Sequence, residues 1–294
     1  MAKLNCALVD LIAEKLRTDL LAVFDNPAYR PPVLPAVAMD VMTVAERDDA
    51  DVDEIVRLLE RDQMLAATVL RLVSSPLYAG RSPIKSLKAA VIRLGVRVIR
   101  DVVFEAAIAR GVFQTGEYAD TLALVARHST VTAYITRMVC RRAAVDADLS
   151  FICGLLHDVG FAGLLLAVKH VEGSAAPTLS MLWPHVDHLH ERASRLLVES
   201  WGLPPDVVEV VGHHHHLHTG MTARIAASVR LADHLTEYFD CSILGPKVAG
   251  ERLPGDHIDA FDLETAAGEL GLDDAAVKHI LADAERTIPD IALL

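Results

Sequence analysis

The chemistry in this 294-residue chain is concentrated in its histidines and the carboxylates among them. Of 14 histidines, 12 fall between His128 and His234. Within that span, Phe151 to Lys169 (FICGLLHDVGFAGLLLAVK) is almost entirely apolar yet carries His157-Asp158 near its centre. An ionised carboxylate in such a setting is costly unless it is paired. Clustered histidines and carboxylates, some of them in apolar helices, are how a metal site looks in sequence.

Composition narrows the classes. Hydrophobic residues make up 52% of the chain, enough for a real core and against disorder. The length fits one large domain or two ordinary ones. A net charge of −12 argues against non-specific nucleic-acid binding, which needs a basic footprint. A bound nucleotide stays compatible, because a metal can supply local positive charge. The cysteines (Cys6, Cys140, Cys153, Cys241) are far apart with no CxxC pair, as expected of a reduced, cytoplasmic chain. The N-terminal stretch scatters its charges and lacks the apolar core of a signal peptide. Residues 151–169 approach spanning length, but His157, Asp158 and nearby glycines interrupt them, so no membrane span is expected.

The elements that must position these residues read as helices. Residues 4–24 repeat apolar positions at a helical period, with charges on the other face. The proline-rich stretch 26–35 breaks that pattern, since proline lacks a donor and clashes in helix interiors. Short helices are expected at 37–45, 51–60 and 64–73, the second opened by a capping box of Asp51 and Glu54. After a loop holding Tyr78 and Gly80, a helix from Ser86 ends at Gly95. Helices then follow at 97–113, 118–143, 151–169, 179–200, 206–214, 222–239, 260–270 and 273–285. Strand-like alternation is scarce and no fixed-period repeat stands out, so the expected fold class is all-α.

Two stretches carry a resemblance. Residues 34–95 run from Leu34-Pro35 through an Asp62-Gln63 helix opening, a Leu-Arg-Leu run at 70–72, a small-Tyr-Gly turn, and the helix beginning Ile84-Lys85-Ser86-Leu87. Further on come GLLHDVG at 154–160, HERASRLLVESWGLPPDVVEVVGHHH at 190–215 and ADHL at 232–235. Together and in this order they resemble the HDOD family, the HD-related output domain of bacterial signalling proteins. The resemblance implies an N-terminal helical lobe, 1–115, packed on an HD-like metal-binding lobe, 116–240, with C-terminal helices in 241–294 packing on the latter. Many members of that family have lost the HD metal ligands. Here every slot of the HD pattern is filled: His128, His157-Asp158, His190, the pair His214-His215, and Asp233.

Imidazoles and carboxylates together suit Fe, Mn, Zn or Ni better than Ca or Mg alone. Seven ligands are too many for one tetrahedral ion and suit two. The expected cofactor is therefore a pair of divalent transition-metal ions, Fe or Mn ahead of Zn or Ni. Asp158 is expected to bridge them and to be the catalytic residue. Adjacent residues on a continuous helix diverge by about 100°. His157 and Asp158 are thus expected to serve different ions or two sides of one, and so are His214 and His215. Two ions about 3.5–4 Å apart clamp a phosphoryl group and acidify a bridging water, which makes phosphoester hydrolysis the natural reaction class. The related HD-GYP phosphodiesterases continue HD as HDxGK, whereas Phe161 stands at the lysine position and HLHTGMTAR replaces the GYP stretch. Cyclic-di-GMP hydrolysis is accordingly not expected. His170, His185, His188, His257 and His279 are expected to be ordinary core or surface residues, and His213, His216 and His218 a solvated turn. The expected function is a signalling module with a metal-binding HD site that binds signalling proteins or a small phosphorylated ligand. The alternatives are a metal-dependent phosphohydrolase and a nucleotide sensor without turnover. Neither nucleic acid nor a membrane is an expected partner. With no receiver, kinase or cyclase pattern present, the signal is expected to come from a separate protein or a small molecule.

Overall fold

The computed structural model describes residues 18–291 apart from 21, 25, 27–28, 30, 76–77, 79–83, 85, 113–117, 146–148, 169–178, 217, 240, 242–246, 249–250 and 253–259. Among the described residues the regular structure is helical, save one antiparallel pair of two-residue strands, β1 (Lys247–Val248) and β2 (Glu251–Arg252). The all-α expectation holds. The expected helix over 4–24 lies largely outside the described residues, although 18–20 and 22–24 are helical. Gly80, His170 and His257 also lie outside them.

Beyond residue 35 the described residues of the front lobe form α1 (Ala36–Ala45), α2 (Val52–Glu60), α3 (Gln63–Val73), α4 (Leu87–Leu94) and α5 (Val96–Gly111). The starts of α2, α3 and α4 are set by side chains that accept otherwise unpaired N–H groups. Asp51 accepts from Asp53 (2.9 Å), Asp62 from Met64 (3.0 Å) and Leu65 (3.1 Å), and Ser86 from Ala89 (3.1 Å). Such caps contribute about 1 kcal/mol each. The capping box expected at Asp51 is only half made, because Glu54 reaches Arg47 at 3.1 Å instead. Gly95 ends α4 as expected, at a φ of 82° that favours glycine. Ile55, Leu59, Leu65, Val69 and Leu72 are the centre of this lobe's apolar core.

The back half contains α6 (Ala119–Ala143), α7 (Ser150–Leu156), α8 (Val159–Ala167), α9 (Leu179–Ser200), α10 (Pro205–Gly212) and α11 (Ala223–Thr236), then α12 (Ala260–Leu270) and α13 (Asp274–Ile291). The long α6 is its spine, touching α7, α11 and α13. α13 runs past the expected 285 because Ile280, Ala284 and Ile288 continue one buried face at i, i+4 spacing. Phe104, Ile108 and Val112 join the same apolar cluster as Phe151, Leu155 and Trp183, so the front lobe rests directly on the back one. Ser150–Ala167 is long and apolar enough to cross a membrane, but 94% of it is buried inside the protein, which makes it a core segment.

Candidate metal centre

The expected continuous helix over 151–169 is broken where the chemistry lies. α7 ends at Leu156, α8 starts at Val159, and Asp158 between them has φ −103° and ψ 11°. With ψ near zero the chain turns, and the divergence of about 100° expected of neighbours on one helix does not apply. His157 and Asp158 instead face one centre, with His157 Nε2 3.3 Å from Asp158 Oδ2. The same correction holds for His214 and His215. α10 stops at Gly212, and in the following turn the two imidazole centroids lie only 4.2 Å apart. They share one side of the centre.

All seven residues expected at the site come together, in two sets. In the first, His128 Nε2 lies 3.1 Å from His157 Nε2, 3.0 Å from Asp233 Oδ1 and 3.4 Å from Asp158 Oδ2. In the second, His190 Nε2 lies 3.2 Å from His214 Nε2 and 3.0 Å from His215 Nε2. Asp158 Oδ1 stands 3.2 Å from His214 and 3.5 Å from His190. Asp158 thus offers one oxygen to each set. Six of the seven residues are buried, and His215 is exposed.

Backbone carbonyls orient the rings. Nδ1–H donates to the carbonyl of Cys241 in His128 (2.9 Å), of Gly154 in His157 (2.8 Å), of Val211 in His214 (2.9 Å), and of Asp187 in His190. Each Nε2 is thereby turned inward, where once deprotonated it offers a lone pair in the arrangement that metal-bound histidines adopt. Ligand atoms about 2.1 Å from one ion, at angles of about 90–110°, lie roughly 3.0–3.4 Å apart. Spacings of 3.0–3.5 Å within the two sets come close to this, with His157 Nε2 to Asp233 Oδ1 longer at 3.8 Å, so the donor set is compatible with two ions.

A family profile for the HDOD domain matches residues 32–217, more than half of the chain. The chain belongs to the HDOD family. An HDOD domain protein of unknown function from Geobacter sulfurreducens superposes with a TM-score of 0.69 at 24% identity, covering 95% of this chain and 96% of that one. A protein from Shewanella amazonensis SB2B named "Putative metal-dependent phosphohydrolase" gives 0.67 at 22% identity, covering 92% and 99%. At these identities the likeness concerns the fold. An uncharacterized protein of Treponema pallidum is 26% identical over 197 residues, which are 63% of this chain but only 38% of that relative's length. The matched HDOD region stops at 217, so Asp233 and the Cys241 carbonyl are supplied from beyond it.

Within this HDOD fold the two sets differ electrostatically. Burial opposes charge on His128, but Asp158 and Asp233 outweigh it and raise the imidazole to about 9. For His157 burial is likewise outweighed, first by Asp158 and then by Asp233, and it rises to about 10. In the second set burial dominates and neighbouring imidazoles add to it, bringing His190 down to about 3 and His214 to about 4. Burial would raise both carboxyls, yet the surrounding imidazoles hold Asp158 and Asp233 well below the usual carboxylate range. The neutral His190 and His214 turn their Nε2 lone pairs on each other at 3.2 Å, a repulsion that a cation between them would relieve.

Phe161, at the position of the HD-GYP lysine, is 3% exposed and stacks between Trp183 (centroids 5.1 Å) and His190 (4.4 Å). It holds a ligand ring and faces no open space. Gly160 is required where α8 meets α9, since a Cβ there would lie 2.0 Å from the His190 carbonyl oxygen. Ser194 seals that contact, accepting from Gly160 N–H and donating to His157 O, both at 2.8 Å. Sequence reasoning missed Glu191, which accepts from His215 N–H (2.9 Å) and pairs with His216 (3.3 Å). Its position beside His190 was the available signal. His188 and His279 are exposed and His185 is half-buried; of the turn expected to be solvated, His216 is exposed, whereas His213 and His218 are half-buried and bonded to the Glu209 and His213 carbonyls.

Proposed function

We propose that this HDOD protein is a cytoplasmic signalling module whose HD site holds two divalent transition-metal ions. In this reading His128, His157 and Asp233 hold one ion, His190, His214 and His215 hold the other, and Asp158 bridges. The observation that carries it is the Asp158 carboxylate, with one oxygen within 3.4 Å of the first set and the other within 3.5 Å of the second. Oxygen ligands in both sets favour Fe or Mn over Zn or Ni. Such ions, when bound, act as Lewis acids toward a phosphoryl oxygen and acidify water.

The residues of the chain then supply binding and orientation. Nδ1 tethers fix the tautomers, the buried walls keep bulk water from six ligands, and exposed His215 marks the side from which a phosphorylated ligand or a partner protein would reach the centre. Asp158, held ionised, stays a ligand at every physiological pH. A second reading, metal-dependent hydrolysis of a nucleotide or another phosphoester, is favoured by the completeness of the set. Its structural neighbour from Shewanella carries that activity in its name. Against cyclic-di-GMP stands the buried Phe161 in place of a phosphate-contacting lysine.

Elemental analysis of protein purified without an affinity tag or added metal tests the site. About two ions per chain are expected. No metal, with none taken up from Mn or Fe, sinks the proposal. Turnover of bis(p-nitrophenyl) phosphate by the loaded protein, abolished in Asp158→Ala, would select the hydrolase reading. Retention of a nucleotide without turnover would select the module.

A further inference from the structure

The turn His213–His216 carries two ligands but has no helical ladder to hold it, since α10 has ended at Gly212. Its closing bond, His216 N–H to His213 O at 2.9 Å, fixes its shape but not its place. Placement comes from two walls. On one side Glu191, next to His190, accepts the His215 N–H. On the other, Arg230 donates to the His216 carbonyl at 2.7 Å. Arg230 lies on α11 three residues before Asp233, hence about one turn away on the same face. Its guanidinium is only 5% exposed, and its second amine reaches Glu269 of α12 at 2.7 Å.

We infer that Arg230 is a positioning residue for the His214–His215 set, with Glu269 as the counter-ion that permits its burial, so that helix α12, outside the matched region, is a working part of the proposed metal centre. Resting on the two-ion reading, it adds to the matched HDOD region a dependence on residues beyond 217. A guanidinium suits this task because its planar fork serves a carbonyl and a carboxylate in fixed relative directions, which an ammonium cannot. A buried guanidinium without a partner is strongly unfavourable, so removing Glu269 would disturb Arg230 even though Glu269 touches no ligand. Both His216 and Glu269 are bonded through groups distant from the metal-facing nitrogens. The effect of Arg230 therefore passes through the turn's position.

The same helix offers an internal control. Arg224 donates to the carbonyls of Ala143 (2.9 Å) and Leu270 (3.3 Å), tying α11 to α6 and α12 without touching the histidine turn. Titration with cobalt(II), followed by its visible absorption, and elemental analysis would be run on wild type, Arg230→Met, Arg230→Lys, Glu269→Gln and Arg224→Met, with circular dichroism for fold. Wild type and Arg224→Met are expected to hold two ions. Arg230→Met should hold one tightly, with the second weakened by ~10-fold or more, Arg230→Lys less so, and Glu269→Gln by a few fold. Should Arg230→Met fail to fold, the milder Glu269→Gln decides. Unchanged affinity for both ions in Arg230→Met, or in Glu269→Gln where it alone folds, overturns the inference. So does loss of the second ion in Arg224→Met, because general loosening of α11 would then explain it. A wild-type chain that takes up no cobalt overturns the two-ion reading itself, and the inference with it.

Discussion

The two halves of the candidate metal centre are built by different means. His128 lies within the 25-residue α6, His157 at the end of α7 and Asp233 within α11, so the first set is fixed by packed helices. It also contains two carboxylates for two imidazoles, a balance that lets protons stand in for a cation. The second set draws His214 and His215 from a turn and has only the shared Asp158 against three imidazoles. Burial lowers His190 and His214 far below an ordinary imidazole, so near neutral pH these two rings do not take up a proton in place of a cation. If the two proposed ions bind, the difference predicts tight, structural binding in the first set and weaker, exchangeable binding in the second, on the side where His215 meets solvent.

The most severe way to break that comparison is to remove what the halves share. Asp158→Ala should lose both ions together, leaving less than about a tenth of the wild-type metal by elemental analysis. Two ions retained would show that the ligand assignment is wrong. Because α1 to α5 supply none of the seven residues and have their own core, their amides should keep wild-type hydrogen-exchange protection in this variant. Global loss of protection would instead make the metal the link between the lobes.

Single-set substitutions sharpen the comparison. His215→Ala should weaken only the second ion, by about 10- to 100-fold, with the first unchanged. Asp233→Asn should cost about one ion as well, but from the buried set. Equal loss of both ions in either variant would mean that the sets act as one unit, which competitive titration with cobalt(II) would reveal.

Much of this candidate site was legible in the sequence because the chain resembles the HD pattern, and the residues that fill its slots could be carried over one by one. His128, His157-Asp158, His190, His214-His215 and Asp233 could be picked out together. What could not be read was their direction. Extrapolating one helix through 151–169 hid the turn at Asp158, since apolar periodicity continues on both sides and a single residue at ψ 11° leaves no compositional mark. The caps at Asp51, Asp62 and Ser86 were readable as local chemistry, whereas Glu54 left its box for Arg47, a partner seven residues back. Arg230 and Glu269 were invisible for a related reason: a bond between α11 and the His216 carbonyl depends on tertiary approach alone.

Titration of the metal-free protein should expose the electrostatic contrast as a smaller effect. His128 and His157 rise from an unfolded value of about 6.5 to about 9 and about 10 in the folded state. Between those limits the native protein binds more protons than the unfolded one, so stability falls as pH rises. His190 and His214, lowered to about 3 and about 4, make the native state bind fewer protons below 6.5, so stability falls as pH drops. The melting temperature of the apoprotein should therefore peak near pH 6.5, a maximum that differential scanning calorimetry would locate. Metal loading should flatten the alkaline limb, because the Nε2 protons are then displaced. An alkaline limb unchanged by metal would place the ions elsewhere.

The smallest expected effect tests whether packing alone can distinguish the halves. Phe161 stacks on His190 in the second set and is in ring contact with none of the first set's histidines among the described residues. Phe161→Leu keeps the site apolar but removes a stacked ring, at a cost of about 1 kcal/mol or somewhat more. His190 would keep its Nδ1 bond to the Asp187 carbonyl while losing one wall, so its ring should gain freedom about that bond. The second ion should loosen by a few fold and the first not at all, as read by cobalt(II) titration. An equal change in both would mean that α8 transmits the disturbance back through Asp158, and the two sets would then be mechanically one.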